Sequence, residues 1–220
     1  WRMLFASGWK GRPGLVGLCG GEALPPDLAE KLIQACSKPW NVYGPTETTI
    51  WSTTYKIPPV KSTTEKIPVY IGKPLANTSV YVLDSFYQRV PIGVEGDIYI
   101  GGDGLSAGYY HNEQLTEERF VYVSFDNENI KRIYFTGDKG KLRIDGNIEY
   151  SGRTDNQVKI RGYRIETGEI ETVMQKNTAV RQLVVIARED NPGDKKLVAY
   201  FSLISGQTAT ADDFKTLLAA

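Results

Sequence analysis

The chain has 220 residues, enough for one sizeable core or for one core and a small satellite domain. At 41% hydrophobic and 24% charged, with Gly 22 and Pro 11, it excludes disorder and collagen-like order and promises many turns. Lys+Arg 26 balance Asp+Glu 26 and no stretch gathers basic residues, so nucleic acid is set aside as a partner.

In chain order, the apolar run Leu15 to Cys19 stops at Gly20-Gly21, and Pro25-Pro26 opens a helical pattern with Leu28, Leu32, Ile33 and Cys36 on one face. Trp40 to Tyr43 reads as a short strand broken by Gly44-Pro45, and Ile50 to Tyr55 resumes an extended, β-branched pattern. Pro58-Pro59 to Thr64 reads as a surface loop. From Ser79 the pattern becomes antiparallel, with strands over Ser79 to Leu83 and Asp97 to Ile100, and Leu115 to Phe120 makes a short helical turn. Arg132 to Phe135 is another strand, and Asp145-Gly146 is the favoured pair for a tight hairpin turn between Leu142 and Tyr150. A change of pattern near Asp155 predicts two domains, 1–154 and 155–220. The second is a βαββα unit: a strand from Gln157 to Arg161, a helix from about Gly168 to Gln175, strands at Leu183 to Ala187 and Leu197 to Leu203, and a final helix begun by the capping box Thr210-x-x-Asp213.

Cys19 and Cys36 sit in apolar contexts with neither CxxC spacing nor a nearby His, which predicts no disulfide, no metal cluster and a reducing, cytoplasmic setting. No apolar run approaches the ~20 residues of a membrane span. Trp1-Arg2-Met3-Leu4 is no signal peptide, and Thr216 to Ala220 stops inside an apolar-periodic stretch without a cap, so both ends read as cuts in a longer chain.

The stretch with most chemistry is Asn41-Val42-Tyr43-Gly44-Pro45-Thr46-Glu47. It puts on one strand-to-loop corner an aromatic face for a purine, a hydroxyl for a phosphate oxygen and a hard oxygen ligand for Mg2+. A polar turn between buried strands is the plain alternative. The string NVYGPTETT resembles the nucleotide-binding motif of adenylation domains in nonribosomal peptide synthetases, and its Pro45 favours amino-acid activation over the acyl- or aryl-CoA ligases of the same superfamily. Four further stretches resemble that family in the expected order: Gly20 to Leu24, Gly96 to Tyr109, Tyr134 to Asp138 and Gly152 to Glu166. The likeness covers essentially the whole chain. It implies the C-terminal part of a large α/β domain, a mixed sheet plus a small β-barrel-like region, followed by a truncated α+β domain.

By that resemblance Tyr43 and Gly44 belong to the adenine site: Tyr43 stacks on the base, Asn41 meets its exocyclic amine, and Gly21, Glu22 and Ala23 pack against its other side. Asp138 accepts both ribose hydroxyls, and Tyr150 and Arg153 close over ribose and phosphate. Thr46, Glu47 and Arg153 serve the chemistry, with Glu47 as the Mg2+ ligand. Leu18, Gly20, Val42, Ile50 and Trp51 line the amino-acid pocket, where Gly20 leaves room. Asp155 is the hinge, and Gln157 to Glu166 faces the phosphopantetheine arm of a carrier domain, with Gly162 giving clearance. Without the resemblance Asp138 reads as a turn-capping residue, Arg153 as a solvated charge, Asp155 as a linker, Gln157 to Glu166 as an edge hairpin and the pocket residues as core. Thr167 departs from the family, which commonly has an apolar residue there.

The implied reaction joins an amino acid to ATP as an aminoacyl-adenylate, then passes it to a carrier-protein thiol beside neighbouring synthetase domains. A carboxylate is already ionised at neutral pH, so no base is needed, in keeping with the single, loop-placed His111. A Ser/Thr/Gly-rich phosphate loop, the aspartate for the substrate amine and the late lysine of this family are not among the 220 residues, which predicts that the chain by itself is inactive. A non-catalytic module that keeps the fold is the alternative from another class, opposed by the presence of Tyr43, Glu47, Asp138 and Arg153.

Overall fold

The computed structural model describes residues 1–59, 69–125, 129–191 and 193–219, and these form two compact units, Trp1–Thr154 and Asp155–Ala220. The loop expected over Pro58-Pro59 to Thr64 lies, beyond residue 59, outside the described residues. No helix among them is long and apolar enough to cross a membrane.

The first unit opens with the short helix α1 (Arg2–Ala6), then β1 (Arg12–Gly20), α2 (Pro26–Ala35) and β2 (Cys36–Tyr43), with β1 and β2 parallel. Pro26 starts α2 where its missing N–H costs nothing, and Asp27 in the first turn suits the positive end of the helix. Leu28, Ala29, Leu32 and Ala35 bury one face against Leu24, Cys36 and Ile57. Cys36 is not on the helix as its spacing suggested. Its φ of −122° and ψ of 138° are extended, because parallel pairing with Arg12 draws it into β2.

A single 3-10 turn, Thr46–Thr48, follows β2, and the sheet continues antiparallel through β3 (Thr53–Lys56) and β4 (Lys73–Pro74). The extended pattern expected from Ile50 starts only at Thr53. Thr49 and Ile50 take φ of 62° and 61°, a region costly for β-branched residues that no periodicity reveals.

The second sheet of this unit is antiparallel: β5 (Thr78–Leu83), β6 (Glu95–Gly102), β7 (Phe120–Ser124), β8 (Ile130–Leu142) and β9 (Ile148–Arg153), with helix α3 (Glu113–Arg119) before β7. β6 pairs along one side of β8, and β7 and then β9 pair with it as well. The expected barrel-like region does not close. The order β5-β6-β8-β7 leaves β5 and β7 as edges, and no pairing among the described residues joins one to the other.

The hairpin at Asp145-Gly146 is present, but not as a two-residue turn. Only Gly146 has positive φ, at 79°, and Arg143 N–H donates to Asn147 O at 2.8 Å, so the loop is Ile144-Asp145-Gly146 with glycine in the left-handed position. Gly72 marks where the two sheets meet. A Cβ there would stand 1.9 Å from Thr54 O of β3, while Ile148 N–H of β9 donates to Gly72 O at 2.9 Å. Ile71, Ile98, Ile100 and Ile148 form the core at this junction, and Tyr43 and Tyr150 pack on it.

The second unit holds β10 (Gln157–Ile160), β11 (Tyr163–Glu166), α4 (Thr167–Met174), β12 (Val180–Glu189), β13 (Lys195–Leu203) and α5 (Ala211–Ala219). Its order is ββαββα, one strand more than expected. Arg161 and Gly162, at φ of 53° and 82°, make a two-residue turn with both centres left-handed, which matches strand twist. Met174, Val185 and Phe214 form its core. The capping box is made: Asp213 accepts Thr210 N–H at 2.7 Å and Asp213 N–H donates back to Thr210 Oγ1 at 3.3 Å. Thr167, the departure from the family pattern, is buried at 2% exposure, and its hydroxyl donates to Asn156 O at 3.2 Å, so the polar atom is satisfied.

Candidate active site

The parallel pair β1 and β2 ends at Gly20 and Tyr43, and the carboxyl ends of parallel strands are where such sheets take ligands. The loop Gly21-Glu22-Ala23 leaves β1 there. Gly21 has φ of 88°, and a Cβ on it would meet nothing within 4 Å, so this backbone presents an open face. On β2, Asn41 is buried and its Nδ2 donates to Tyr70 O at 2.8 Å. That bond fixes the amide, whose other group, Oδ1, is an acceptor of the kind an exocyclic amine requires.

Tyr43 and Asp138, 95 residues apart, meet through a 2.5 Å hydrogen bond from the phenol to Oδ2. Arg153 Nη1 sits 2.7 Å from the other oxygen, Oδ1, with the two side chains only 12% and 7% exposed. Asp138 and Arg153 are cross-strand partners on β8 and β9, so the sheet register itself brings them together. β8 continues through a bulge where sequence suggested a turn: Gly137 takes φ of 73° and the β6–β8 register shifts there. Buried Thr136 donates to Ile98 O at 2.8 Å and accepts Asp138 N–H at 3.0 Å, while Thr154 N–H and hydroxyl both donate to Gly137 O. The turn-capping alternative for Asp138 and the solvated alternative for Arg153 are therefore overturned. Burial, then the Asp138 charge and hydrogen bond, push the Tyr43 phenol well above its ordinary value, so it stays a donor.

Glu47 is buried in the 3-10 turn at 7% exposure, and its Oε1 accepts the Tyr109 hydroxyl at 2.6 Å. Among the described residues no group of three or more His, Cys, Asp or Glu could cage a metal. One fixed carboxylate fits Mg2+, which commonly keeps waters and phosphate oxygens as its other ligands. Thr46 stands beside it, at the start of the same turn.

Three comparisons bear on this geometry. The model of the family described as AMP-binding enzyme matches residues 1–110, half of the chain. The chain belongs to that AMP-binding family. A dimodular nonribosomal peptide synthase of Bacillus subtilis is 46% identical over 200 residues, covering 91% of this chain but 8% of that protein. A four-domain nonribosomal peptide synthetase, solved with AMP and glycine, is 45% identical with a TM-score of 0.64 over 99% of this chain and 16% of its own. An artificially fused adenylation and carrier di-domain from Klebsiella oxytoca is 29% identical with a TM-score of 0.75 over 92% of this chain and 37% of its own. The chain thus spans a small part of each relative, and its fold is that of the C-terminal part of an adenylation domain.

In this member of the family the expected pocket residues are brought together only in part. Gly20 pairs with Val42, but a Cβ on Gly20 would stand 2.3 Å from Val42 O and 2.6 Å from its Cγ2. Glycine at 20 is thus what lets β1 lie this close to Val42 of β2. Leu18, Ile50 and Trp51 are exposed and Val42 is buried. Gly44 lets the Ile50-Trp51 backbone approach β2, since a Cβ on it would stand 2.6 Å from Ile50 O. Tyr150 packs with Tyr43 on the isoleucine core. The cavity lined by Phe5, Trp9, Lys31 and Ala35 contains none of these residues. Sequence reasoning missed Thr136 and Tyr109. Both stand inside the stretches that resemble the family, and the available signal was a hydroxyl placed beside a carboxylate-bearing or glycine-rich turn.

Proposed function

We propose that this chain is the part of an amino-acid-activating adenylation domain that holds adenine, ribose and metal, joined at Asp155 to a small domain that swings to serve the carrier. The observation that carries the reading is the Tyr43, Asp138 and Arg153 constellation at the ends of the parallel strands. An ionised carboxylate is an acceptor with no hydrogen of its own, which suits it to ribose hydroxyls. Tyr43 faces adenine, Asn41 accepts from its amine, and Gly21, Glu22 and Ala23 cover its other side. Thr46 and Arg153 reach phosphate oxygens, Tyr150 closes over the ribose, and Leu18, Gly20, Val42, Ile50 and Trp51 border the amino acid.

In this reading the amino-acid carboxylate attacks the α-phosphorus of ATP and pyrophosphate leaves. The chain's part is to orient the nucleotide and to supply fixed positive charge from Arg153, whose guanidinium is held in place before substrate arrives. Mg2+, when bound by Glu47, neutralises phosphate charge. The aminoacyl group then passes to a phosphopantetheine thiol on a peptidyl carrier domain, with neighbouring synthetase domains as further partners and the cytoplasm as the setting. A phosphate loop and the amine-binding aspartate are not among these residues, so the 220-residue chain alone supports no exchange.

The test is amino-acid-dependent pyrophosphate exchange over a panel of amino acids, using the whole product of the gene that encodes this chain. One or a few amino acids are expected to drive exchange. Asp138→Asn is expected to weaken ATP binding about tenfold or more, the loss of charge-assisted hydrogen bonds. Exchange driven by fatty or aryl acids instead, or an Asp138→Asn variant that binds ATP normally, would sink the reading.

A further inference from the structure

The glycine-rich stretch Gly101 to Tyr109 carries no chemistry in its composition, yet it grips the turn that holds Glu47 at three points. Tyr109 hydroxyl donates to Glu47 Oε1 at 2.6 Å, Ser106 N–H donates to Glu47 O at 2.9 Å, and Thr49 hydroxyl donates to Gly104 O at 2.8 Å. Glycine at 104 is required for the approach, since a Cβ would stand 2.9 Å from Thr48 O. Thr49 can reach across because its backbone is left-handed, at φ of 62° and ψ of 75°.

The stretch is itself held from behind. Arg132 caps the carbonyls of Ser106 and Ala107, both at 2.7 Å, with its guanidinium 4.3 Å over the Phe120 ring. Tyr109 N–H donates to Thr116 Oγ1 at 2.9 Å, and its ring meets Phe120 edge-on at 5.9 Å. The Tyr134 hydroxyl of β8 lies 3.4 Å from that of Tyr109, so β7, β8 and α3 hold ring and hydroxyl from the side away from the turn. Left-handed backbone at Thr49 and Ile50 costs of order 1–3 kcal/mol per residue and persists only where surroundings impose it.

We propose that Tyr109 is a positioning residue for the metal step: through the 102–109 brace it holds the Glu47 carboxylate in the one orientation from which it meets Mg2+. The proposal rests on the reading of Glu47 as the metal ligand. Mg2+ demands near-ideal octahedral geometry, so a carboxylate free to rotate binds it less well than one locked in place. The brace acts on the metal and leaves the adenine and ribose contacts of Tyr43 and Asp138 untouched.

The experiment uses the whole gene product with Tyr109→Phe, Thr49→Val and Glu47→Gln. Mn2+ binding in the presence of ATP is read by electron paramagnetic resonance, and exchange is measured against Mg2+ concentration. Metal-free AMP affinity serves as control. Tyr109→Phe is expected to weaken Mn2+ binding and raise the half-saturating Mg2+ about tenfold, the loss of one hydrogen bond to a charged group, with AMP affinity unchanged. Thr49→Val keeps the β-branched shape and loses only the donor, so it is expected to shift both in the same direction by less, and it decides the matter if Tyr109→Phe does not fold. Metal binding within about twofold of the parent, or an equal loss of AMP affinity, overturns the proposal. If Glu47→Gln leaves the metal dependence intact, the metal reading of Glu47 fails first. If Glu47→Gln alters it and Tyr109→Phe does not, only the positioning role fails.

Discussion

Asp138 joins a role in packing to its proposed role in recognition. Its pair with Arg153 is nearly buried, so removing the carboxylate takes an opposite charge away from a buried guanidinium, and breaking a buried pair from one side costs about 3–5 kcal/mol. Asp138→Ala is expected to lower stability by roughly 3 kcal/mol in urea unfolding. The double variant Asp138→Leu with Arg153→Met should recover much of that loss, because both charges of the buried pair are gone, while nucleotide binding stays lost. Recovery of binding along with stability would count against the site assignment.

Asp97 is the opposite case, a carboxylate whose Oδ1 is buried without a hydrogen-bond partner. Burial raises its pKa, with Glu95 adding to the rise and Lys139 opposing it. A raised folded value means the native state holds the proton more tightly than the unfolded chain. Its contribution is therefore present below the ordinary carboxylate value of 3.8 and is lost as pH rises through the folded value. Asp97→Asn is expected to flatten this loss and to match or exceed the parent in stability near pH 7. Urea titrations at about pH 4 and pH 7 check it, and a steeper pH dependence in the variant would contradict the assignment.

At the scale of elements, the turn between β10 and β11 carries a sharp expectation. Arg161 and Gly162 both need positive φ, so Gly162→Ala should cost about 1 kcal/mol from backbone strain alone, since a Cβ there would meet nothing within 4 Å. Gly162→Asn, which tolerates this region, should cost less. Thermal unfolding of both variants reads the difference. The same element shows why sequence reading succeeded where it did. The strands, α2, the Thr210 capping box and the hairpin near Asp145 follow from local propensity, which nearby residues set. The left-handed Thr49 and Ile50 were illegible because no local pattern calls for them, and Thr49 is tied to Gly104 O, distant in sequence. The full length of β8 was hidden because Thr136-Gly137-Asp138 has turn composition, and the strand runs on through a bulge at Gly137 that the bond from Thr136 to Ile98 O and the pairing with β9 hold in place. Asp138 and Arg153 were marked by family resemblance, but their pairing depends on the β8–β9 register, which no local pattern encodes.

At the scale of the molecule, the second unit has its own core of Met174, Val185 and Phe214, with Ile170, Leu183, Leu197 and Leu217 around it. Domains of about 60 residues bury only about 60% of their unfolded surface and are marginal alone. Expressed from Asp155 onward, this unit is expected to show helix and strand by circular dichroism and to unfold cooperatively, at a lower midpoint than in the whole chain. A random-coil spectrum would show that its core does not suffice.

The bond between Tyr43 and Asp138 spans 95 positions of sequence, the brace on Glu47 is supplied from Ser106 and Tyr109, and Arg153 closes the set. Anyone recombining related chains therefore faces a forbidden zone for crossovers. A splice placed anywhere from Tyr43 to Arg153 would part at least one of these pairs, marrying the tyrosine of one parent to the carboxylate or guanidinium of another. Splices outside that interval inherit the set from a single parent and leave its mutual fit intact.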